Sequence, residues 1–243
     1  METPALRQVV LLAGKLDHAL DETRAFLGLR PGIRDETSMA ALGFEHEVLA
    51  IDRTFVEIVS PLSADSSSGR LLARRGEGGY MVVLQVADLD AVLARAQDIG
   101  LAPVLHEVFE GNPMTQWHPR DLGTLAEIDE MRVAEWHFGP ALSGTGSTEV
   151  VADIIAVEIG VPDPVAYVGR WATLLGLAPD GAQLHLASGT LRFVPDDGGA
   201  GLRAVVLAAS SAATAGREAT LCGVAFSVVV GGRARGPSAP PLH

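Results

Sequence analysis

One stretch of this chain is written twice at the same internal spacing. Gln8-Val9-Val10-Leu11-Leu12-Ala13 leads through a helix-like segment to Phe26-Leu27-Gly28-Leu29-Arg30-Pro31. Ala156-Val157-Glu158-Ile159-Gly160-Val161 leads to Leu174-Leu175-Gly176-Leu177-Ala178-Pro179. Gln8 to Leu29 and Ala156 to Leu177 are both separated by 21 positions, with no gap needed. A weaker copy begins at Tyr80, with strand Met81–Val86, helix Asp88–Ile99 and Gly100. A repeated strand-helix-strand unit cannot bury its apolar face alone, so the copies must stack or pair. That requirement limits the architecture, and with it the places where a site can lie.

The first unit reads as strand 7–13, helix 16–28, then short strands near 38–44, 47–51 and 54–60. Leu16, Leu20, Thr23 and Leu27 share one helix face. Thr54–Ser60 alternates, with Phe55, Glu57 and Val59 on one side and Val56 and Ile58 on the other, until Pro61 stops it. Residues 62–78 read as a connector, in which Arg70, Arg74 and Arg75 stand at helical spacing as a solvated basic face or an anion contact. The second unit predicts strand 80–86, helix 88–99 with Asp88 as its cap and Gly100 as its stop, and strands near 103–109, 114–118 and 124–129. Residues 140–149 read as a linker. A third unit follows: strand 153–161, a helix opened by Asp163-Pro164, and strands near 183–187 and 190–195. The fourth, 202–230, is shortened, and residues 232–243 read as a disordered tail. The expected division is thus 1–139, a linker 140–149, a reduced domain 150–231, and the tail. The fold class is α+β, with mainly antiparallel sheets.

Composition removes several partners. A net charge of −12, with Lys15 the sole lysine, repels phosphate backbones and anionic lipid, so neither nucleic acid nor membrane is expected. It argues less against one anionic ligand, because a local arginine pair can dominate a pocket. The single Cys222 excludes an internal disulfide and a cysteine-rich zinc site, and its apolar surroundings predict an inert core thiol. No apolar run approaches the roughly 20 residues of a membrane span, and the start Met-Glu-Thr-Pro lacks the basic opening of a leader. A soluble cytoplasmic protein is the expectation.

Three segments carry a resemblance. Phe55-Val-Glu-Ile-Val-Ser-Pro-Leu62, Gly78-Gly-Tyr-Met-Val-Val-Leu-Gln-Val-Ala-Asp-Leu-Asp90 and His118-Pro-Arg-Asp-Leu-Gly-Thr-Leu-Ala-Glu127 resemble the vicinal-oxygen-chelate superfamily. That superfamily includes glyoxalase I, extradiol dioxygenases, bleomycin-resistance proteins and methylmalonyl-CoA epimerase. Residues 6–131 look most like the epimerase branch. The resemblance implies paired βαβββ units whose curled sheets enclose a cleft, followed here by a second, reduced copy. It further implies a divalent metal (Mn, Co, Ni, Fe or Zn) held by first-strand and last-strand side chains of each unit. Those positions are Gln8 and Met81, then Glu57 and Glu127, which makes Gln8, Glu57 and Glu127 the candidate metal ligands. Histidines stand in that branch where this chain has Gln8 and Tyr80-Met81, and a thioether is no partner for two carboxylates on such a metal. A metal-assisted site and a metal-free one therefore both stay open. In the second pair of units, Ala156 and approximately Phe226 fall at ligand positions, so that half is expected to be a structural or dimer-forming copy.

The candidate chemistry is proton transfer next to a carbonyl, with Glu57 or Glu127 moving the proton and His118 as a further acid or base. A metal there would polarise adjacent substrate oxygens. The plain alternatives are a solvent-facing strand carboxylate, a strand-end glutamine, and a turn histidine bonded to backbone. Met81 reads as cleft lining. His106 reads as a cleft or core residue, and Trp117, Trp136 and Phe138 as a cover for the cleft mouth or as packing against the linker. Gly76, Gly78 and Gly79 precede a strand rather than a helix and form no phosphate loop. Neither a G-x-S-x-G elbow nor an H-E-x-x-H motif is present. The leading expectation is a small-molecule-binding, glyoxalase-like lyase or isomerase. The alternative is a metal-free, ligand-sequestering protein of the bleomycin-resistance kind. An extradiol dioxygenase is disfavoured because both first-strand histidines are missing. The two domains can play within one chain the part that two chains play in single-domain relatives, or the chain can form a homodimer.

Overall fold

The repeated sequence produces a repeated helix ending. In the computed structural model, which describes residues 4–132, 149–196, 198 and 200–231, α1 (Leu16–Leu27) stops at Gly28 and α6 (Pro164–Leu175) at Gly176. Both glycines are left-handed, with φ of 69° and 67°. A side chain would be strained there, which is why glycine closes both helices. The chain then folds back identically: the Leu29 N–H donates to Arg24 O and the Leu177 N–H to Ala172 O, at 3.1 and 2.9 Å. The expected caps also form. Asp88 accepts from the Ala91 N–H at 2.8 Å ahead of α4 (Leu89–Asp98), and Asp163 accepts from the Ala166 N–H at 3.0 Å. The expected linker 140–149, apart from Glu149, lies outside the described residues, as do the tail 232–243, Trp136 and Phe138.

Among the described residues thirteen strands make two sheets. In the first sheet β1 (Ala5–Leu12), β2 (Phe44–Ile51), β3 (Thr54–Pro61), β4 (Gly78–Val86), β5 (Leu105–Phe109), β6 (Asn112–Trp117) and β7 (Leu125–Glu130) lie in the order β2-β3-β1-β4-β7-β6-β5. In the second, β8 (Val151–Val161), β9 (Gln183–His185), β10 (Thr190–Pro195), β11 (Gly201–Ala209), β12 (Arg217–Leu221) and β13 (Val224–Val229) lie in the order β12-β13-β11-β8-β10-β9. Each of the four units pairs its first strand parallel with its last: β1 with β3, β4 with β7, β8 with β10, β11 with β13. Antiparallel pairs β1–β4 and β8–β11 then join the units two by two. The fold is α+β, built from curled mixed sheets of paired repeats.

One expected strand is absent. Residues 36–41 form α2 (Glu36–Ala41), because Asp35 accepts from the Ser38 N–H at 3.0 Å and starts a helix. The strand is reduced to a single bridge between Ile33 and Val48. Gly32 enables that approach, since a Cβ there would lie 1.8 Å from Val48 O. The connector 62–78 likewise contains α3 (Ser67–Arg75), capped by Ser66, with Arg70, Arg74 and Arg75 exposed.

The two sheets stand back to back on one apolar core. Val9, Leu11, Ile58 and Leu84 of the first share a cluster with Val157, Ile159, Leu207 and Phe226 of the second. Contact is close at Gly79, where a Cβ would come within 2.4 Å of the Leu202 Cβ. Polar stitches run beside the core. The Trp171 indole donates to Leu122 O at 2.9 Å, Arg95 Nε to Leu174 O at 2.9 Å, and the Thr54 hydroxyl to Asp153 at 2.9 Å. Cys222 is buried, and burial pushes its thiol up to about 12, as an inert core residue requires. Among the described residues no helix is long and apolar enough to cross a membrane.

A bulge recurs in all four units. Arg7 falls between the pairs Leu6–Leu84 and Gln8–Val83, and Tyr80 between Val10–Met81 and Leu11–Gly79. Ile155 and Arg203 occupy the same places in β8 and β11. Such an extra residue breaks the two-residue alternation and re-aims its side chain.

Candidate active site

With the helix side of each sheet consumed by the core, the first sheet's free face is its curled inner one. Alternation puts Val10, Leu12, Val48, Phe55, Met81 and Val83 there as a second apolar cluster. Among these aliphatic side chains stand two carboxylates. Glu57 pairs in register with Val10, and Glu127 with Val83. They occupy equivalent places in the two units, as their sequence positions predict.

Their environments differ. Glu57 is buried at 7% exposure and both of its oxygens accept hydrogen bonds. The Gln8 amide donates to Oε2 at 2.7 Å, and His46 Nδ1 lies 2.6 Å from Oε1. His46 Nε2 accepts from the Asp35 N–H at 2.8 Å, so the ring proton is on Nδ1 and points at Glu57. Glu47, on the opposite face of β2, fixes the loop that supplies this N–H. It accepts from Arg24, from the Gly32 N–H at 2.7 Å and from Arg34 Nε at 2.9 Å. Burial alone would raise Glu47, but these donors outweigh it and hold the carboxyl below its ordinary range.

Among the described residues Glu127 has one donor, the Gln116 amide, at 2.7 Å from Oε2. Burial, then the charge of Asp129, then Glu57 and Glu107, push it well above the ordinary carboxylate range, and the Gln116 bond offsets only part of this. Residue 127 as a whole is half-buried, whereas Glu57 is buried. The face thus sets a fully hydrogen-bonded carboxylate and a carboxyl biased to the neutral acid within electrostatic reach of each other.

Gln8, Glu57 and Glu127 are therefore brought to one face. His118 is not gathered with them: it heads the short α5 (Pro119–Leu122), its Nδ1 accepts from the Arg120 N–H at 3.0 Å, and its ring is exposed. The donor set fits a metal poorly. Gln8 presents its amide nitrogen to Glu57, both Glu57 oxygens accept from the protein, and Met81, a thioether, lines the same face. Among the described residues no three His, Cys, Asp or Glu side chains are arranged to hold an ion.

Sequence reasoning missed His46, Gln116 and Tyr80. The first strand of the β2–β3 hairpin was expected to start at 47, one residue too late to include His46, although His46, Val48 and Ala50 alternate. Gln116 stands directly opposite Glu127 in the β6–β7 register, a pairing that follows only once the hairpin is set. Tyr80 is a bulge residue, and alternation alone sends it to the core.

On the second sheet the register corrects one position. Phe226 faces the shared core, and the counterpart of Glu127 is Ser227, which pairs with Val206. Arg192 takes the place of Glu57 and faces Glu158 at 3.6 Å.

No protein-family model matches this chain, and no curated protein matches it. Solved structures do align with about half of it. A methylmalonyl-CoA epimerase in complex with methylmalonyl-CoA and NH4+ is 23% identical, covering 54% of this chain and 97% of that one, with a TM-score of 0.48. The methylmalonyl-CoA epimerase of Mycobacterium tuberculosis is 24% identical over 53% of this chain and 89% of that one, at 0.47. A hypothetical protein from Bacillus halodurans is 20% identical over 56% and 99%, at 0.48.

Proposed function

We propose that the inner face of the first sheet binds a small organic molecule and moves a proton at a carbon next to its carbonyl, as an isomerase or lyase does. One observation carries the reading: two carboxyl groups at equivalent register positions are given opposed environments, a pattern that separates base from acid. Glu57 takes the α-proton, the C–H electron pair enters the new C=C bond, and the carbonyl oxygen becomes an enolate. Glu127, biased to the neutral acid, returns a proton to carbon. The aliphatic lining excludes water and strengthens both interactions.

The test is hydrogen exchange. Protein in deuterium oxide is given α-branched acyl thioesters, methylmalonyl-CoA first, and loss of the α-proton signal is followed by NMR. Exchange that disappears in Glu57→Gln and in Glu127→Gln, with binding retained, supports the reading. No exchange with any thioester or simple α-branched keto acid sinks it. His118→Ala belongs in the same series, and unchanged exchange is expected because its ring serves the Arg120 backbone. Elemental analysis of untagged protein, with Glu57→Ala plus Glu127→Ala beside it, tests the divalent metal separately.

A second reading has its own observation. Both Glu57 oxygens already accept protein donors, and most of the surrounding face is aliphatic. A metal-free protein that sequesters a ligand would use such a face. Its binding would follow substitutions at Met81 or Val83 and be indifferent to Glu57→Gln.

A further inference from the structure

We propose that Tyr80 is a catalytic residue of the first-sheet cleft, its hydroxyl donating a hydrogen bond to the substrate oxygen that becomes the enolate. The inference rests on the proton-transfer reading above and supplies what that reading lacks, a group that stabilises negative charge on oxygen.

The geometry begins with the bulge. In regular alternation Tyr80 would face the shared core and Gly79 the cleft. Because Val10 pairs with Met81 and Leu11 with Gly79, Tyr80 is left over, and it packs against the cleft-side cluster to which Val10, Met81 and Val83 belong. Gly79 takes the core side, where only glycine leaves room for Leu202. The Tyr80 ring is held by the edge of Phe44, with centroids 5.8 Å apart. Among the described residues no hydrogen bond engages its hydroxyl, and Glu57 is near enough for its charge to be felt there. Burial, then that charge, hold the phenol above its ordinary range, so it remains a donor at neutral pH.

The roles then balance. Glu57 removes the proton and becomes neutral, which lifts the repulsion between its charge and the forming enolate. Tyr80 keeps its own proton and shares it with the enolate oxygen. Glu127 protonates carbon, and the two carboxyl groups exchange protons with solvent. The substrate class that fits is a carbonyl compound carrying an acidic α C–H and an apolar substituent.

The test uses 4-nitrophenolate, a planar conjugated oxyanion, as a probe of that donor. Glu57→Gln stands for the carboxylic acid left after proton removal. Its affinity for 4-nitrophenolate is expected to exceed that of wild type, and adding Tyr80→Phe should weaken binding about 10- to 100-fold, the usual effect of losing a hydrogen bond to a charged group. Adding Ser227→Ala instead, on the other sheet, should change it less than about threefold. Tyr80→Phe keeps the contact with Phe44, and a thermal melt checks that it folds. Binding within threefold after Tyr80→Phe, or no binding to Glu57→Gln at all, overturns the proposal. Because the carboxylate pair is judged by deuterium exchange, its failure and the failure of Tyr80 are read separately.

Discussion

The two inner faces of this molecule share a scaffold and almost nothing else. Strand for strand, β1, β3, β4 and β7 correspond to β8, β10, β11 and β13, with the same parallel pairs, the same antiparallel junction and the same bulges. Yet Gln8, Glu57, Met81 and Glu127 on the first sheet correspond to Ala156, Arg192, Ala204 and Ser227 on the second. At the bulge, Tyr80 meets the cleft while Arg203 is spent on an ion pair with Asp196. The fold sets which four positions face inward, and the side chains placed there decide whether chemistry can follow.

That contrast can be broken by experiment. The largest effect is expected on α-proton exchange: Glu57→Gln or Glu127→Gln should lower it by about 10²- to 10⁴-fold, whereas Arg192→Ala should leave it unchanged. Equal losses from both faces would mean the second sheet takes part. Next comes the junction. Gly79→Ala forces a methyl against Leu202 and should destabilise the whole chain by about 1–3 kcal/mol in denaturant melts, while Gly78→Ala, with open space around it, should change stability by less than about 0.5 kcal/mol.

The two faces also differ in pH dependence. Glu127 has a folded-state pKa raised above its unfolded value near 4.5, so the folded chain binds the extra proton. Its contribution is complete below the unfolded value and is lost as pH rises toward the folded one. Glu127→Gln should therefore flatten the decline in stability above about pH 4.5. Ser227→Ala, at the matching place, should not alter the slope. The smallest effect belongs to the pair at 3.6 Å across β8 and β10: Glu158→Gln should cost less than about 1 kcal/mol, because both partners reach solvent.

Much of the architecture was legible because repetition and local chemistry agreed. Leu-Gly-Leu at 27–29 and 175–177 marked two helix ends, Asp163-Pro164 marked a start, and alternation around Glu57 placed that carboxylate on the cleft face. What stayed hidden depends on register. The Asp35 cap turned an expected strand into α2. The hairpin joining β2 to β3 set His46 diagonally across from Glu57, a relation no single strand reveals. Bulges shifted Tyr80 into the cleft, and Ser227 rather than Phe226 took the last-strand position. Apart from the local Asp35 cap, the decisive fact was a contact between segments rather than a property of one.

The single core between the sheets has a consequence for how such a chain can change over generations. Joining two repeats through their backs leaves both inner faces outside that shared core. Mutations at Arg192 or Ser227 are thus close to invisible to folding, and the second face can drift, decay or acquire a new ligand while the first is held in place by its neighbour.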